Sequence, residues 1–259
     1  MRLEVRLFGG LTERAGSSRL SVELPEDADV AQLRTAIADQ HPELAPLLPK
    51  INVALDLAVA ADDQPVTATS EVALLPPVAG GATPGTSDAE APGSSDDPSV
   101  RVLPDGRRVL CGLREPPLPV DAAVEAIGGP QVGGVVIFVG RVRDHAPDLA
   151  EPVVRLDYQA YPQMADRVLH DIAEELLSRD PAVLGVALLH AVGALRVGDP
   201  TIVIACAAAH RGPAFEACRT ALEEVKERVP VFKREVTASG AHRWVGLEGA
   251  TPPDETNEG

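Results

Sequence analysis

The basic residues in the second half of this chain are grouped, and their neighbours suggest a shared chemistry. Phe138-Val139-Gly140-Arg141-Val142-Arg143-Asp144-His145 closes an apolar run with cations, and Ala209-His210-Arg211-Gly212-Pro213 lies where a strand pattern gives way to a helix pattern. Lys226 stands seven residues before Lys233, which opens Lys233-Arg234-Glu235, and Arg243-Trp244 follows shortly after. A helix N-terminus presents free N–H groups and a partial positive charge, so His210 and Arg211 at such a point make an anion site. A lysine in a cationic, partly desolvated pocket loses pKa and becomes a usable acid, base or nucleophile.

Each feature alone also has a plainer reading. Arg211 in a surface ion pair and His210 on a buried carbonyl explain that pair equally well. Lys226, one position off an apolar stripe, would by itself be expected to snorkel to solvent. Lys233 shares a strand face with Glu235 and can simply pair with it.

A second feature lies at Leu74-Leu75-Pro76-Pro77-Val78-Ala79-Gly80-Gly81, a strand running into a tail without side chains. Only glycine lets a backbone approach a narrow pocket so closely. Yet 178 residues follow Gly81, so no free carboxyl is present there.

Composition bounds what these features can serve. A formal charge of −16 argues against broad binding to nucleic acid or an anionic membrane. Cys111, Cys206 and Cys218 form neither an even set nor a C-x-x-C pair, so neither a disulfide framework nor a metal site is expected. Met1-Arg2-Leu3-Glu4-Val5-Arg6 alternates like a strand and does not read as a signal peptide, and no apolar run reaches membrane-spanning length. A cytoplasmic location is the expectation.

The elements that must position these residues follow from periodicity. Leu3 to Phe8 and Leu20 to Leu24 alternate as two strands of a hairpin, punctuated by Gly9-Gly10 and Gly16. Asp29 can cap a helix carrying Val30, Leu33 and Ile37, stopped by Pro42. Strands at 51–55 and 71–75 complete a strand, strand, helix, strand, strand order, that of a ubiquitin-like β-grasp domain. Residues 82–99 hold no Leu, Ile or aromatic and only acidic charge. That composition cannot offset its ordering entropy and reads as a linker whose ends lie roughly 20–25 Å apart.

Beyond the linker, Asp121 can cap a helix ending at Gly128-Gly129, and Val135–Val139 reads as a central strand buried on both faces. A strand at 153–161 leads into a helix opened by Pro162 with Met164, Val168, Ile172 and Leu176 on one face. Strands at 184–192 and 201–208 precede a helix opened by Pro213, whose Phe215, Cys218, Leu222, Val225 and Val229 form an apolar stripe. Pro230 stops it and 231–236 returns as a strand. The domains are therefore 1–81, a linker at 82–99, a larger α+β domain at 100–248 and a frayed tail at 249–259.

Taken together, these motifs resemble a known enzyme family. The ending Val72 to Gly81 looks like the small sulfur-carrier subunit of molybdopterin synthase, although Ala79 stands where Ser is common and Thr69-Ser70-Glu71 where Gly-Asp-Glu is usual. Phe138 to His145, His210-Arg211, the Lys226/Lys233 spacing and Arg243-Trp244 resemble the large catalytic subunit, of hammerhead-type α+β fold. The resemblance covers about 1–81 and 108–246.

It implies sulfur transfer from a thiocarboxylate on Gly81, carried on the Gly80-Gly81 tail, to cyclic pyranopterin monophosphate. Lys226 and Lys233 would be the catalytic lysines. Phe138, Arg141, Arg143, His145, His210, Arg211, Arg234 and Arg243 would surround the substrate. No cofactor or metal is implied. Expected partners are an adenylating, sulfurating enzyme acting on Gly81 and a second copy of the large domain, whose pocket draws on both copies; cleavage would make a heterotetramer. Because the Gly81–Ala82 peptide bond leaves nothing to sulfurate, cleavage after Gly81 is expected. The alternative is that the small domain is a ubiquitin-like docking module that is never sulfurated.

Overall fold

The computed structural model describes residues 1–78, 100–146 and 149–247. The Gly80-Gly81 tail, the linker and the end of the chain, all expected from sequence, lie outside the described residues.

In the first domain the alternation of Leu3, Val5 and Leu7 makes β1 (Arg2–Leu7), which pairs antiparallel with β2 (Arg19–Glu23). The hairpin expectation misses one element: α1 (Gly10–Ala15) fills the connection, ending on Gly16 in the left-handed region. Its length of six residues gave too little periodicity to read. Asp29 caps α2 (Val30–Gln40) with a full capping box to Gln32, as expected. The strands β3 (Asn52–Leu55), β4 (Ala58–Val59) and β5 (Val72–Leu75) complete a sheet ordered β2-β1-β5-β3-β4, with β5 parallel to β1. This is a β-grasp sheet, and its apolar face closes on Leu33 and Ile37 of α2.

The second domain has two sheets. β6 (Arg101–Val102), β7 (Arg108–Arg114), α3 (Val120–Ile127), β8 (Gly134–Arg141), β9 (Val153–Ala160), α4 (Pro162–Arg179) and β10 (Val183–Ala191) come first. β11 (Gly193–Arg196), β12 (Pro200–Ala208), α5 (Arg211–Arg228), β13 (Val231–Thr237) and β14 (His242–Trp244) follow. The sheets run β6-β7-β10-β12-β8 and β11-β9-β13-β14, with α4 and α5 packed on the first. Among the described residues no helix is long and apolar enough to cross a membrane. The three cysteines are buried and carry no disulfide.

Three expectations change here. The run Val135–Val139 is an edge strand, half-buried, with Ile137 43% exposed. An apolar run reports hydrophobicity but not whether a neighbour sits on each side. Phe215 is 63% exposed, because Ala214, Ala217, Cys218, Ala221 and Val225 take the buried face of α5. Small side chains let the helix lie close to the sheet, and a stripe drawn through the large residues missed them. Asp121 sits in the first turn of α3, where Pro119 holds the cap position.

The domains share a core. Phe8, Ala73 and Leu75 of the first pack with Tyr161 and Phe232 of the second, and Phe8 stacks on Tyr161 at 4.9 Å between centroids. The Gly9 amide donates to Gln159 Oε1 at 2.6 Å, and Arg234 pairs with Glu13 at 2.8 Å. Glycine is required at position 9: its φ is +57°, and a Cβ there would stand 3.2 Å from Pro76 and 3.5 Å from Trp244.

Candidate functional site

The lysine on β13 is built into a ladder. Lys233 lies opposite Tyr158 of β9, and Glu235 opposite Arg243 of β14. Glu235 is buried, and its carboxylate accepts from Arg243 Nε at 3.0 Å and pairs with Lys233 Nζ at 3.3 Å. One carboxylate thus holds two cations, which keeps a net positive charge and fixes where both side chains point. Burial pushes the Tyr158 phenol up to about 12, opposed by a hydrogen bond with Thr201. Tyr158 meets His190 edge-on at 5.0 Å; burial lowers that imidazole to about 4, and its Nδ1–H donates to the Ala191 carbonyl at 2.8 Å. Both groups are neutral at ordinary pH, so the charge held against them in this sheet is that of the Lys233–Glu235–Arg243 set.

Thr201 ties this set to the other sheet. It lies at the start of β12, beside Gly140, where an added Cβ would come within 2.7 Å of Ile202 and 3.0 Å of Thr201 Oγ1. Next to it Arg141, the last residue of β8, pairs with Pro200 and donates to the Gly198 carbonyl at 2.8 Å. Phe138 is half-buried on β8, its backbone against Cys218 of α5. Arg143 is exposed, and His145 pairs with Asp144 at 3.0 Å with both side chains in solvent.

α5 then decides which cations meet. It starts beside Ala208, and Cys218 halfway along faces Ile204, so the helix runs back antiparallel to β12. Lys226 therefore lies toward the Pro200–Arg141 end, the end at which Thr201 bonds Tyr158 opposite Lys233. His210, the N-cap, and Arg211 lie at the opposite end; both are exposed, and neither has a hydrogen-bond or ion-pair partner among the described residues. Fifteen helical steps from Arg211 to Lys226 span ~22 Å. The β8–β12 ladder repeats the separation, since Gly134 pairs with Ala208 and Arg141 with Pro200. Within one chain, then, the structure does not bring His210 and Arg211 into one pocket with Lys226 and Lys233.

Lys226 is exposed on the last turn of α5 and has no partner among the described residues. Arg234 points elsewhere than the other cations: its guanidinium lies between Asp157 at 2.9 Å and Glu13 at 2.8 Å, over the Trp244 ring. It belongs to the contact between the domains. The base of the small domain's tail reaches the lysine end, since Pro77 lies against Gly246 and the neighbouring Val245 amide donates to the Lys233 carbonyl. Val78 is buried. Among the described residues no three His, Cys, Asp or Glu side chains gather as a metal would need.

Sequence reading missed the anchoring role of Glu235 for two cations. The i, i+2 spacing from Lys233 signalled one half of it. Tyr158 and Thr201 carried no local signal, because they come from strands distant in the sequence.

A β-grasp domain packed against an α+β domain that carries the grouped cations defines the class of protein. The family described as "MoaE protein" matches residues 113–228, and the "ThiS family" matches residues 5–81. Molybdopterin synthase catalytic subunit 1 of Mycobacterium tuberculosis is 42% identical over 147 residues, 57% of this chain and 97% of that protein. The molybdopterin synthase catalytic subunit of Pyrococcus abyssi is 42% identical over 126 residues, 49% of this chain and 82% of that protein. The crystal structure of molybdopterin synthase from Staphylococcus aureus aligns at 28% identity and a TM-score of 0.48, over 51% of this chain and 94% of that one. The chain belongs to the molybdopterin synthase catalytic subunit family, with a ThiS-family domain ahead of it in the same polypeptide.

Proposed function

We propose that the chain is a molybdopterin synthase carrying both halves of the enzyme, acting in molybdenum cofactor biosynthesis. A thiocarboxylate on Gly81 delivers sulfur to cyclic pyranopterin monophosphate, and two such transfers form the dithiolene. The observation that carries this reading is the seating of Pro77 against Gly246, next to Val245, whose amide donates to the Lys233 carbonyl.

The chemistry suits the site. Substrate phosphate and thiocarboxylate are both anionic and need fixed cations around them. Oxygen leaves as sulfur enters, and a lysine ammonium supplies its proton. Lys226 and Lys233 take that role, with Arg141, Arg143, His145 and Arg243 toward the same end and Phe138 midway along β8. His210 and Arg211 contribute from a second copy, because α5 holds them ~22 Å from their own lysines. The half-exposed apolar edge strand β8 supports such an assembly, since an unpaired edge with Ile137 in solvent is a surface that a second chain covers.

The chain must be cut after Gly81 before Gly81 can be adenylated and sulfurated by a separate enzyme. Mass spectrometry of the protein from its own host tests this: an N-terminal fragment ending at Gly81, with oxygen replaced by sulfur, is the expected species. Intact chain that still makes molybdopterin would end the cleavage idea. The close interdomain contact is also what a mere docking module would make. Replacing Gly81 with a bulky residue separates the two, since a docking module keeps activity and a carrier loses it.

A further inference from the structure

The contact between the domains contains a polar device that apolar docking does not require. On the small domain Arg6 of β1 pairs with Glu71, the residue before β5, at 2.6 Å. On the large domain Tyr161 is fully buried, and its hydroxyl donates to the same Glu71 oxygen at 2.6 Å. The Arg6 guanidinium lies over the Tyr161 ring, 4.6 Å from its centroid. One side chain of the large domain is therefore met on its face by a cation and at its hydroxyl by a carboxylate. Both come from strands flanking the tail, and Glu71 opens the strand that runs straight into Pro76.

We propose that Arg6, Glu71 and Tyr161 are the element by which the large domain selects its partner. It accepts a β-grasp domain with an arginine in the first strand and a glutamate opening the last, and discriminates against one that lacks the glutamate. The discrimination is physical, since such a domain would bury the Tyr161 hydroxyl without an acceptor, and a stranded polar group costs more than the bond itself contributes. Calling the small domain a sulfur carrier rests on the function proposed above, but the contact is tested without it.

The Gly9 amide is the reporter, because its acceptor, Gln159 Oε1, is on the other domain. Its hydrogen exchange in the intact chain follows undocking, while amides of the β1–β2 ladder follow unfolding of the small domain. Tyr161→Phe removes one hydrogen bond and should speed Gly9 exchange about five-fold. Glu71→Met strands the hydroxyl and should speed it about ten-fold or more. The double variant should exchange more slowly than Glu71→Met alone, because both polar partners are then gone. Glu71→Gln, which keeps shape without charge, serves if the methionine variant also loosens the β1–β2 ladder. Unchanged Gly9 exchange in the Glu71 variants, or strictly additive effects in the double variant, would overturn the proposal. If Gly9 behaves as expected but Gly81 is never sulfurated, the selection element stands and the proposed function falls.

Discussion

The ~22 Å between the two ends of α5 makes a quantitative prediction for mixed chains. If Arg211 holds a substrate anion as proposed, Arg211→Ala should lower the rate of molybdopterin formation by about ten-fold or more. If Lys226 gives the proton as proposed, Lys226→Ala should lower it by about 10²–10⁴-fold. If each site takes its lysines from one chain and Arg211 from its neighbour, a mixed dimer of the two variants holds one site with both native residues. Its other site lacks both. After subunit exchange at equal concentrations half the dimers are mixed, so activity should return to about a quarter of the native rate. The assay is molybdopterin formed from cyclic pyranopterin monophosphate, before and after mixing. A mixture no more active than its better component would refute the reasoning, because sites contained within one chain gain nothing from exchange.

Two further outcomes follow from the structure. The hydrogen bond from Tyr161, and then Arg6, hold the Glu71 carboxyl below the usual carboxylate range, with burial opposing them. A carboxyl lowered in the docked state contributes fully above its ordinary value near 4.5 and loses that contribution as pH falls through the lowered one. Gly9 exchange, corrected for its intrinsic rate, should therefore rise relative to the β1–β2 ladder as pH is taken from about 6 to about 3. Glu235→Gln leaves Lys233 and Arg243 without their shared carboxylate and should cost about 1–3 kcal/mol of stability in urea unfolding. The same variant should lower kcat more than it raises KM if Glu235 holds Lys233 in its working position; a change confined to KM would contradict that role.

Much of the local structure was legible in the residues. The alternation at Leu3–Leu7, the Asp29 cap and the Pro162 helix start are short-range effects, and each element formed where its pattern stood. The basic motifs, with the lysines seven residues apart, were equally plain. The misses have a common cause. Val135–Val139 is apolar enough for a central strand yet sits at an edge, and Phe215 fits a helical stripe yet faces solvent. Whether an apolar residue is covered depends on what packs beside it, and a one-dimensional pattern does not contain that neighbour.

The same distinction divides the site. Sequence alone determined which side chains could bind anions and move protons, since that is a property of residue type and of position relative to a helix end or strand. It also determined that a side-chain-free tail precedes them. Only the tertiary structure decided which of those groups meet. It set Glu235 between Lys233 and Arg243, turned Arg234 to the interdomain contact, and placed His210 and Arg211 a helix length from Lys226. The reason is that these relations depend on strand register and on the direction in which α5 crosses the sheet. Both are settled by the packing of the whole domain.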